Sequence, residues 1–552
     1  MKPRWETLHA IAGGSFDVCV IGGGATGAGC AWDAQLRGLK TVLIEAGDFA
    51  SATSSASTKL VHGGVRYLQQ AVSDLDLGQY QVVKSALHER RLMLDNAPHV
   101  VHPLEILVPC YSGWEVFYYR VGMKIYDAIA GKGNLFPSCY RSVAESFAHM
   151  PMLNPARLVG TVAYGDGQFD DVRYGLALVQ SFTAVGGDAL NHARVVGLLK
   201  DASGRLAGAE IEDAFTHARF TLGARAFVNA TGPLSDHVRE MARPGIGQRL
   251  RLSKGVHILL PLDSETTRDA ILIPKTDDGR VIFAIPWLGR LLVGTTDDEA
   301  TLEDEMLVSR READYLLRHL NRYVAHPFAR DQIVSAFAGV RPLVAHKDAS
   351  DTRKLIRDHE VEVEPESGLI SVLGGKWTTH RAMAEDGINA VVQRLGMAEK
   401  PCTTAHHLLN GANGFTADYW QVLVNNYGVP PALAQHLAEK FGTNATQVLE
   451  IAGQERPWGS PIVEGLPPIR AEIVYSVRYE MAMTIEDVLA RRLGLQLFSW
   501  ASAIEAAPLV GSLMAGLLGW NATETQQAVD RYVYRISRLM RKIGLVRDTP
   551  VA

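Results

Sequence analysis

A glycine-rich turn between two apolar segments near the N-terminus constrains the fold of this chain more than any other feature. The apolar residues 16–21 lead directly into Gly22-Gly23-Gly24-Ala25-Thr26-Gly27, and a helix-length segment and a second apolar run, 40–44, precede Glu45. A strand, a glycine turn, a helix and a second strand ending in an acid form the dinucleotide-binding βαβ unit. The sequence therefore predicts an α/β fold with a dinucleotide at the carboxyl edge of a parallel sheet.

Each position of this turn has a physical reason. Gly22 permits the sharp turn, Gly24 lets the backbone approach a pyrophosphate, and Gly27 allows close contact between helix and strand. The helix N-terminus offers N–H groups to the phosphates. Glu45 is placed to accept the ribose hydroxyls, and an acid there disfavours the 2′-phosphate of NADP. The dinucleotide is therefore FAD or NAD.

Three later segments favour FAD. Residues 51–58 (SATSSAST) carry six hydroxyl side chains, which suit either a flexible polar loop or a loop that binds the pyrophosphate and the flavin edge. Apolar runs also lead into glycine turns at 231–232 and 374–375, and the second turn begins a helix whose N-terminus would stabilise a reduced flavin. The cofactor contacts predicted from these segments are Thr53, Ser54, Ser55, Thr231, Gly232, Gly374, Gly375 and Thr378.

Composition excludes several classes of protein. A chain of 552 residues with 47% hydrophobic side chains can bury a large core, and its net charge of −5 argues against a nucleic-acid binder. Five cysteines without a CxxC pair predict neither a disulfide framework nor a metal site, and they indicate a reducing compartment. The apolar segment 506–520 contains Pro508 and is about five residues short of a bilayer crossing, so we predict no transmembrane helix.

The pattern of predicted secondary structure changes near residue 397. Before it, strand-like runs alternate with glycine turns and helical stretches, whereas beyond Pro401 most segments have helical length. We therefore predict an interleaved α/β body at 1–397 and a helical domain at 398–552. The predicted strands include 17–21, 41–44, 226–229, 281–285 and 291–294, and the predicted C-terminal helical segments are 417–427, 432–441, 447–451, 469–497 and 522–543.

A set of motifs occurs in one order along the chain. After the first glycine turn come TSSASTKLVHGGVRYL at 53–68, VNATGP at 228–233, GVRPL at 339–343, GGKWTT at 374–379 and MTIEDVLARR at 483–492. In this order they resemble the FAD-dependent glycerol-3-phosphate dehydrogenases of the aerobic, respiratory kind. The resemblance implies a glutathione-reductase-type FAD-binding fold, an antiparallel substrate-binding sheet and a C-terminal all-α cap domain.

The resemblance also implies an activity and partners. Such enzymes oxidise sn-glycerol 3-phosphate to dihydroxyacetone phosphate, pass the electrons to a membrane quinone, and commonly form homodimers on one face of a membrane. The first fifteen residues contain no apolar stretch long enough for a secretory signal. We therefore expect a cytoplasmic protein attached peripherally to the cytoplasmic membrane. The chain has no DxDxDG calcium loop, which disfavours the calcium-regulated animal type.

Oxidation of this alcohol requires a base for the hydroxyl proton and cations for the phosphate, preferably guanidinium groups. The resemblance implies substrate contacts for Arg66, Arg341 and Lys376, and we include Arg341 among the catalytic residues. A single such side chain is more often structural, but three cations in three motifs favour anion binding. His62 and His257 are the candidates for the base, and we favour His257.

Two features depart from the family pattern or extend it. Trp377 and His380 stand where an aliphatic residue and a tyrosine are expected, which leaves the packing beneath the flavin open. The last helical segment carries basic side chains on one face, which suits either a solvated face or a patch that binds anionic lipid. Those side chains are Arg531, Arg535, Arg538 and Lys542.

Alternative functions stay open at this point. A glycerol-3-phosphate oxidase would pass electrons to oxygen, and 2-hydroxy-acid or amine oxidoreductases share the fold. An amine substrate would have no use for three cations beside the flavin. A flavin-containing regulator without turnover is disfavoured by the intact glycine, hydroxyl and arginine motifs.

Overall fold

The computed structural model describes residues 1–64, 77–263, 267–302, 306–345, 359–398 and 400–546. The strands, in chain order, are β1 Ser15–Ile21, β2 Thr41–Ile44, β3 Leu60–Val61, β4 Val101–Cys110, β5 Cys139–Arg141, β6 Gly160–Phe169, β7 Asp188–Leu190, β8 Ala193–Lys200, β9 Leu206–Asp213, β10 Arg219–Asn229, β11 Leu250–Pro261, β12 Ala270–Ile273, β13 Ile282–Trp287, β14 Arg290–Gly294, β15 Asp298–Ala300, β16 Ser335–Val344, β17 His359–Val363 and β18 Ile370–Gly374. The α-helices are α1 Arg4–Ile11, α2 Ala25–Leu36, α3 Leu77–Asn96, α4 Gly113–Ala130, α5 Val143–His149, α6 Asp171–Ala184, α7 Ser235–Ala242, α8 Arg310–Leu320, α9 His380–Arg394, α10 Tyr419–Tyr427, α11 Pro431–Phe441, α12 Ala445–Gln454, α13 Arg470–Glu480, α14 Leu495–Phe498, α15 Trp500–Leu518 and α16 Ala522–Ile543.

The first sheet has a parallel centre. Its strands lie in the order β17-β18-β10-β1-β2-β7, and the neighbours from β18 to β7 are parallel. Val20 of β1 lies opposite Val228 of β10 and Leu43 of β2, and all three side chains are buried. Apolar runs of this kind are typical of parallel strands covered on both faces. The predicted dinucleotide-binding sheet is confirmed.

The second sheet is mainly antiparallel. Its strands lie in the order β15-β11-β14-β13-β12-β4-β6-β3, with β16 paired to β11 and β5 paired to β6. The long strand β11 pairs with β16 from Leu250 opposite Val344 to Leu259 opposite Ser335. This is the antiparallel sheet that the resemblance implies. The two sheets are interleaved in sequence, because β3–β6 and β11–β16 come from segments between strands of the first sheet.

The C-terminal region is helical, as predicted. The last helix, α16, has the predicted bounds and begins with a capping box formed by Asn521 and Glu524. The predicted helical region 469–497 is divided into α13, a π-helical turn at Asp487–Arg492 and α14. Met481 and Gly494 adopt left-handed conformations, which end one piece and precede the next.

Helix α15, Trp500–Leu518, overlaps the apolar segment 506–520, which is the membrane-span candidate. By length and composition it is the one helix in the described ranges that is suited to cross a membrane. Trp500, Ala503 and Ala507 on this helix are buried in the core that α15 shares with α16 and the second sheet. A buried core helix of a folded domain has the same composition, so this feature is weak evidence for a span.

Candidate active site

The first glycine turn has the geometry that a dinucleotide requires. Gly22 has φ +106°, and a Cβ there would lie 2.6 Å from the Ala230 carbonyl oxygen. A Cβ on Gly27 would overlap the Gly22 carbonyl, so neither position accepts a side chain. A Cβ on Gly24 would fill the space beside the Ser54 hydroxyl, 2.9 Å away. The turn therefore leaves an open cradle at the N-terminus of α2.

Glu45 lies at the end of β2, next to this cradle. Its carboxylate accepts hydrogen bonds from the N–H groups of Gly23, at 2.6 Å, and Gly47, at 2.7 Å. Burial raises the pKa of the Glu45 carboxyl, and the two N–H donors partly oppose that effect. Because each carboxylate oxygen can accept more than one hydrogen bond, the group fits the predicted ribose contact.

The hydroxyl-rich loop joins the two sheets. The Ala25 N–H, at the start of α2, donates to Ser54 Oγ at 3.0 Å. The Thr53 hydroxyl donates to the Val340 carbonyl of β16 at 2.5 Å, whereas the Ser55 hydroxyl donates locally to Ala52 O. Two of the three predicted loop contacts therefore connect the dinucleotide cradle with the antiparallel sheet.

The other two glycine turns lie at the same edge of the first sheet. They follow β10 and β18, which are parallel neighbours, and the carboxyl ends of such strands meet at one edge. Ala230, just after β10, lies against Gly22. The predicted cofactor residues placed along this edge are Thr231, Gly232, Gly374, Gly375 and Thr378.

Trp377 accounts for one departure from the family pattern. Its indole N–H donates to the Ser54 carbonyl at 2.9 Å, so it joins the third glycine turn to the hydroxyl-rich loop. Its ring packs edge-on against Phe169 and Tyr174, with centroids 5.3 and 5.6 Å away, and against His380. The two unexpected residues therefore belong to one aromatic cluster beneath the loop.

Arg341 lies on the face of the antiparallel sheet that meets this loop. Gly339, two residues earlier in β16, leaves room for Ala56 of the loop. Gly255 of β11 leaves room for the Arg341 guanidinium, since a Cβ there would overlap it. The guanidinium donates to Thr296 O at 3.1 Å and to Thr295 Oγ1 at 2.9 Å, and 26% of the side chain is exposed. Nη1 also lies 3.9 Å from Asp297 Oδ1, so an anion can reach only the exposed part of the guanidinium.

His257 lies on the same face. Its ring stacks on Phe337 of β16, with centroids 4.7 Å apart and 13° between the planes. Nε2 lies 3.0 Å from Thr58 Oγ1, while Nδ1 is buried and has no hydrogen-bond partner in the described part of the chain. Burial and the charges of Arg341 and Lys59 hold the pKa of His257 well below its usual range. The imidazole is therefore neutral near pH 7.

The other predicted substrate residues are less closely grouped. His62 is half-buried, with its ring 6.4 Å from that of Phe283. Phe283 of β13 lies opposite Gly294 of β14, which lies opposite His257 of β11, so the His62 ring lies near a residue two strands away from His257. Lys376 is half-buried just before the turn that leads into α9. Arg66 lies outside the described residues.

Lys59 and Asp171 also lie at this site, and no sequence motif indicates them. Lys59 is fully buried, and its ammonium donates to Asp171 Oδ1 at 2.5 Å and to Ser55 O at 2.8 Å. The ammonium also lies 5.3 Å from the centre of the Phe337 ring, beside His257. The only available signal was a lysine placed between the hydroxyl run and the apolar pair Leu60 and Val61.

The side chains present fit a dinucleotide cofactor. The glycine cradle offers a helix N-terminus, Glu45 offers a carboxylate, and the unpartnered Nδ1 of His257 faces no protein acceptor or donor among the described residues. These are the donor and acceptor types that a pyrophosphate, a ribose and a polar substrate require.

Comparisons with known proteins agree with this arrangement. A family model described as FAD dependent oxidoreductase matches residues 17–385, and one described as the C-terminal domain of alpha-glycerophosphate oxidase matches residues 402–525. The chain is 40% identical over 526 residues to the mitochondrial glycerol-3-phosphate dehydrogenase of Homo sapiens, covering 93% of this chain and 72% of that protein.

Solved structures extend the similarity. The glycerol-3-phosphate dehydrogenase from Bacillus halodurans, complexed with FAD, aligns with a TM-score of 0.79 and 31% identity over 99% of each chain. The L-alpha-glycerophosphate oxidase from Mycoplasma pneumoniae, with FAD bound, has a TM-score of 0.53 and 16% identity, covering 71% of this chain and 99% of that one. The second match shows a shared fold alone. Because the first family model spans most of the body, and a relative with 40% identity aligns along nearly the whole chain, the protein belongs to the family of FAD-dependent glycerol-3-phosphate dehydrogenases.

Proposed function

We propose that this protein oxidises sn-glycerol 3-phosphate to dihydroxyacetone phosphate and that a membrane quinone takes the electrons. One observation carries the proposal: a partly exposed guanidinium, Arg341, and a buried neutral imidazole, His257, lie on one sheet face against the hydroxyl-rich loop. A phosphate ester with an adjacent secondary alcohol needs both groups. When bound, FAD supplies the acceptor for the hydride that leaves C2 of the substrate.

In this proposal different side chains bind the phosphate and accept the proton. We assign the phosphate to Arg341, whose planar fork suits a tetrahedral anion, with Lys376 and Arg66 as the further cations implied by the resemblance. In this proposal Nδ1 of His257 accepts the proton of the C2 hydroxyl, because Nε2 already lies against the Thr58 hydroxyl. A lowered pKa keeps that nitrogen able to accept a proton at neutral pH.

The cofactor residues hold FAD between the two sheets in this proposal. Glu45 binds the ribose, the cradle at Gly22 to Gly24 binds the pyrophosphate, and Ser54 lies beside that cradle. The turn at Gly374 and Gly375 lies at the same sheet edge and is assigned to the flavin end.

An exposed aromatic surface supports attachment to a membrane. Trp114, Phe117, Tyr118 and Val121 lie on one face of α4, and the first two are 70% and 58% exposed. Their spacing follows the helical repeat, and Arg120 and Lys124 are exposed on the same helix. An amphipathic helix with aromatic and basic side chains suits an anionic lipid surface. We therefore assign peripheral attachment, at the cytoplasmic membrane, to α4.

The last helix offers weaker support for lipid binding. On its apolar side, Tyr532 and Ile536 are buried in the protein core, so they are not available to lipid. Arg535 pairs with Glu486 at 2.8 Å, while Arg531 and Arg538 are exposed. This arrangement suits a helix docked on its own domain with a solvated basic face.

A homodimer is also part of our proposal, on the resemblance alone, and sedimentation of the detergent-solubilised protein would test it.

An anaerobic reduction experiment tests the function. Glycerol 3-phosphate is added to FAD-loaded protein without oxygen, the flavin absorbance is followed, and then either a quinone analogue or air is admitted. We expect bleaching by this substrate, no bleaching by lactate or glycine, and fast reoxidation by the quinone analogue alone. Flavin that stays oxidised would contradict the proposal. Fast reoxidation by air with stoichiometric peroxide would identify an oxidase instead.

A further inference from the structure

The two adjacent arginines of the MTIEDVLARR motif contact a residue of the dinucleotide-binding unit. Asp48 Oδ2 accepts hydrogen bonds from Arg491 Nε at 2.7 Å and from Arg492 Nη1 at 2.5 Å, and Asp48 Oδ1 accepts one from Arg492 Nη2 at 2.9 Å. The contact joins residues more than 440 positions apart in sequence. It connects the C-terminal helical region directly with the segment that follows the first βαβ unit.

Asp48 lies in the segment between Glu45 and the hydroxyl-rich loop. It comes three residues after Glu45, and the Ser51 N–H, at the start of the loop, donates to its carbonyl oxygen at 3.1 Å. Gly47, its neighbour, donates its N–H to the Glu45 carboxylate. The position of the Asp48 side chain therefore fixes the backbone on which the ribose-binding carboxylate and the loop depend.

Neighbouring groups hold the same segment from the other side. The His192 N–H donates to the Gly47 carbonyl, and His192 Nε2 lies 2.9 Å from Asp487 Oδ2. Arg491 also donates to Asp487 at 2.5 Å. Arg4 of the N-terminal helix donates to the His192 carbonyl at 3.0 Å, which gives that extension a supporting role.

All the carboxylates of this network are buried and paired with arginine. Asp48, Asp487 and Arg492 have almost no exposed surface, and Arg492 also donates to the Glu480 carbonyl. Asp48, His192 and Asp487 lie close enough together to hold a metal ion, but Arg491 already bridges the two carboxylates. A buried network with its partners in place fixes one geometry, because any shift leaves a charge unpaired.

We propose that Arg491 and Arg492 are positioning residues for FAD: by holding Asp48, they pre-organise the segment that carries Glu45 and the hydroxyl-rich loop. Tight binding of the cofactor then requires the C-terminal helical domain, although no residue of that domain need contact the cofactor. Holding a binding segment in its bound conformation raises affinity because less ordering remains to be done on binding.

The test compares cofactor affinity with stability in matched variants. Asp48→Asn keeps the shape of the side chain and removes the charge, and Arg491→Met removes one of the two guanidinium groups. The control is Glu472→Gln in α13, which weakens a pair away from the FAD segment, between the buried Glu472 carboxylate and the His436 ring, which is 15% exposed. Apoprotein of each variant is titrated with FAD by flavin fluorescence, and its thermal unfolding is measured without cofactor.

We expect the Kd for FAD to rise about tenfold or more in Asp48→Asn and Arg491→Met, as for other residues that orient a binding group. Glu472→Gln should lower the melting temperature of the apoprotein by a similar amount and leave the Kd within about twofold. An unchanged affinity for FAD in Arg491→Met would overturn the proposal. So would a loss of FAD affinity in Glu472→Gln as large as that in Arg491→Met. No substrate is present, so this result is independent of the reaction assigned above.

Discussion

The Lys59 ammonium and the Asp171 carboxylate form an ion pair in which both side chains are completely buried and the two charged atoms lie 2.5 Å apart. Asp171 also accepts hydrogen bonds from the N–H and the hydroxyl of Ser57. Because Lys59 donates to the Ser55 carbonyl as well, the pair fixes the end of the hydroxyl-rich loop beneath the sheet face that carries His257.

Removing one partner of this ion pair should lower the free energy of unfolding much more than replacing both partners with apolar side chains. We expect Lys59→Met to lower the free energy of unfolding by about 3–5 kcal/mol, because it leaves Asp171 as an unpaired buried charge. The double variant Lys59→Met/Asp171→Leu should lose less than the single variant, and urea unfolding measures both. Arg91→Met, at a pair with both partners half-exposed, is the control and should cost no more than about 1 kcal/mol.

Arg341→Ala should weaken substrate binding far more than cofactor binding. Hydrogen bonds to a charged phosphate contribute about 1.5–3 kcal/mol, so we expect KM for glycerol 3-phosphate to rise about 10- to 100-fold. The Kd for FAD should not change. Lys254→Met is the control, because Lys254 lies on the other face of β11 and pairs with Glu312. A wild-type KM in Arg341→Ala would remove that residue from the substrate site.

His257→Gln should lower kcat about 10²- to 10⁴-fold, the usual contribution of a general base, with FAD still bound. Burial lowers the pKa of this imidazole well below 6.5, so its protonation should reduce kcat/KM only at pH values below that. Stopped-flow rates of flavin reduction from pH 5 to 8 test both statements. A larger loss in His62→Gln would move the role to His62. The rate of flavin reduction could instead fall toward acid pH with a midpoint above pH 6.5. If that fall is absent in His257→Gln, the result would contradict the buried environment of His257.

His380 should make folding sensitive to acid. Burial lowers the pKa of His380 to about 4 in the folded protein. A group with a depressed folded pKa binds its proton more readily when unfolded, so its contribution to stability is present above pH 6.5 and is lost between 6.5 and 4. For this single histidine the loss by pH 5 is about 2 kcal/mol. Urea unfolding at pH 7 and pH 5 should show a smaller difference in His380→Gln, and exposed His237→Gln should behave as wild type.

Two surface variants distinguish the possible lipid-binding surfaces. Trp114→Ser/Phe117→Ser removes the two most exposed aromatic residues of α4, and Arg531→Gln/Arg538→Gln neutralises part of the last helix. Flotation with vesicles containing anionic lipid should show a several-fold lower bound fraction for the first variant. Soluble-dye reduction should be unchanged in both. Release of the second variant alone would assign the membrane contact to α16.

The local parts of the site were predictable from sequence. Gly22, Gly24 and Glu45 lie within one βαβ unit, whose geometry follows from the order of its residues. The bounds of α16 followed from its capping residues and helical repeat. The antiparallel sheet could be predicted only through the resemblance, because its strands pair across long separations.

The parts that sequence did not reveal depend on distant partners. Lys59 becomes a buried group only because Asp171, 112 residues away, is placed beside it. The same holds for Asp48 and Arg492, where neither residue alone indicates an ion pair. The sequence of helix α15 indicates only a membrane-span candidate, since apolar composition does not distinguish lipid from a protein core.

Because the two sheets are interleaved in sequence, the strands of the parallel sheet are synthesised far apart in time. The parallel sheet begins at Ser15, but its strand Ile370–Gly374 emerges from the ribosome only after about two thirds of the chain has been made. Until then the growing polypeptide presents unpaired strand edges, which favour chaperone binding or aggregation. With the turn at Gly374 and Gly375 assigned to the flavin end, a complete cofactor site is expected only after this strand has paired with Arg219–Asn229.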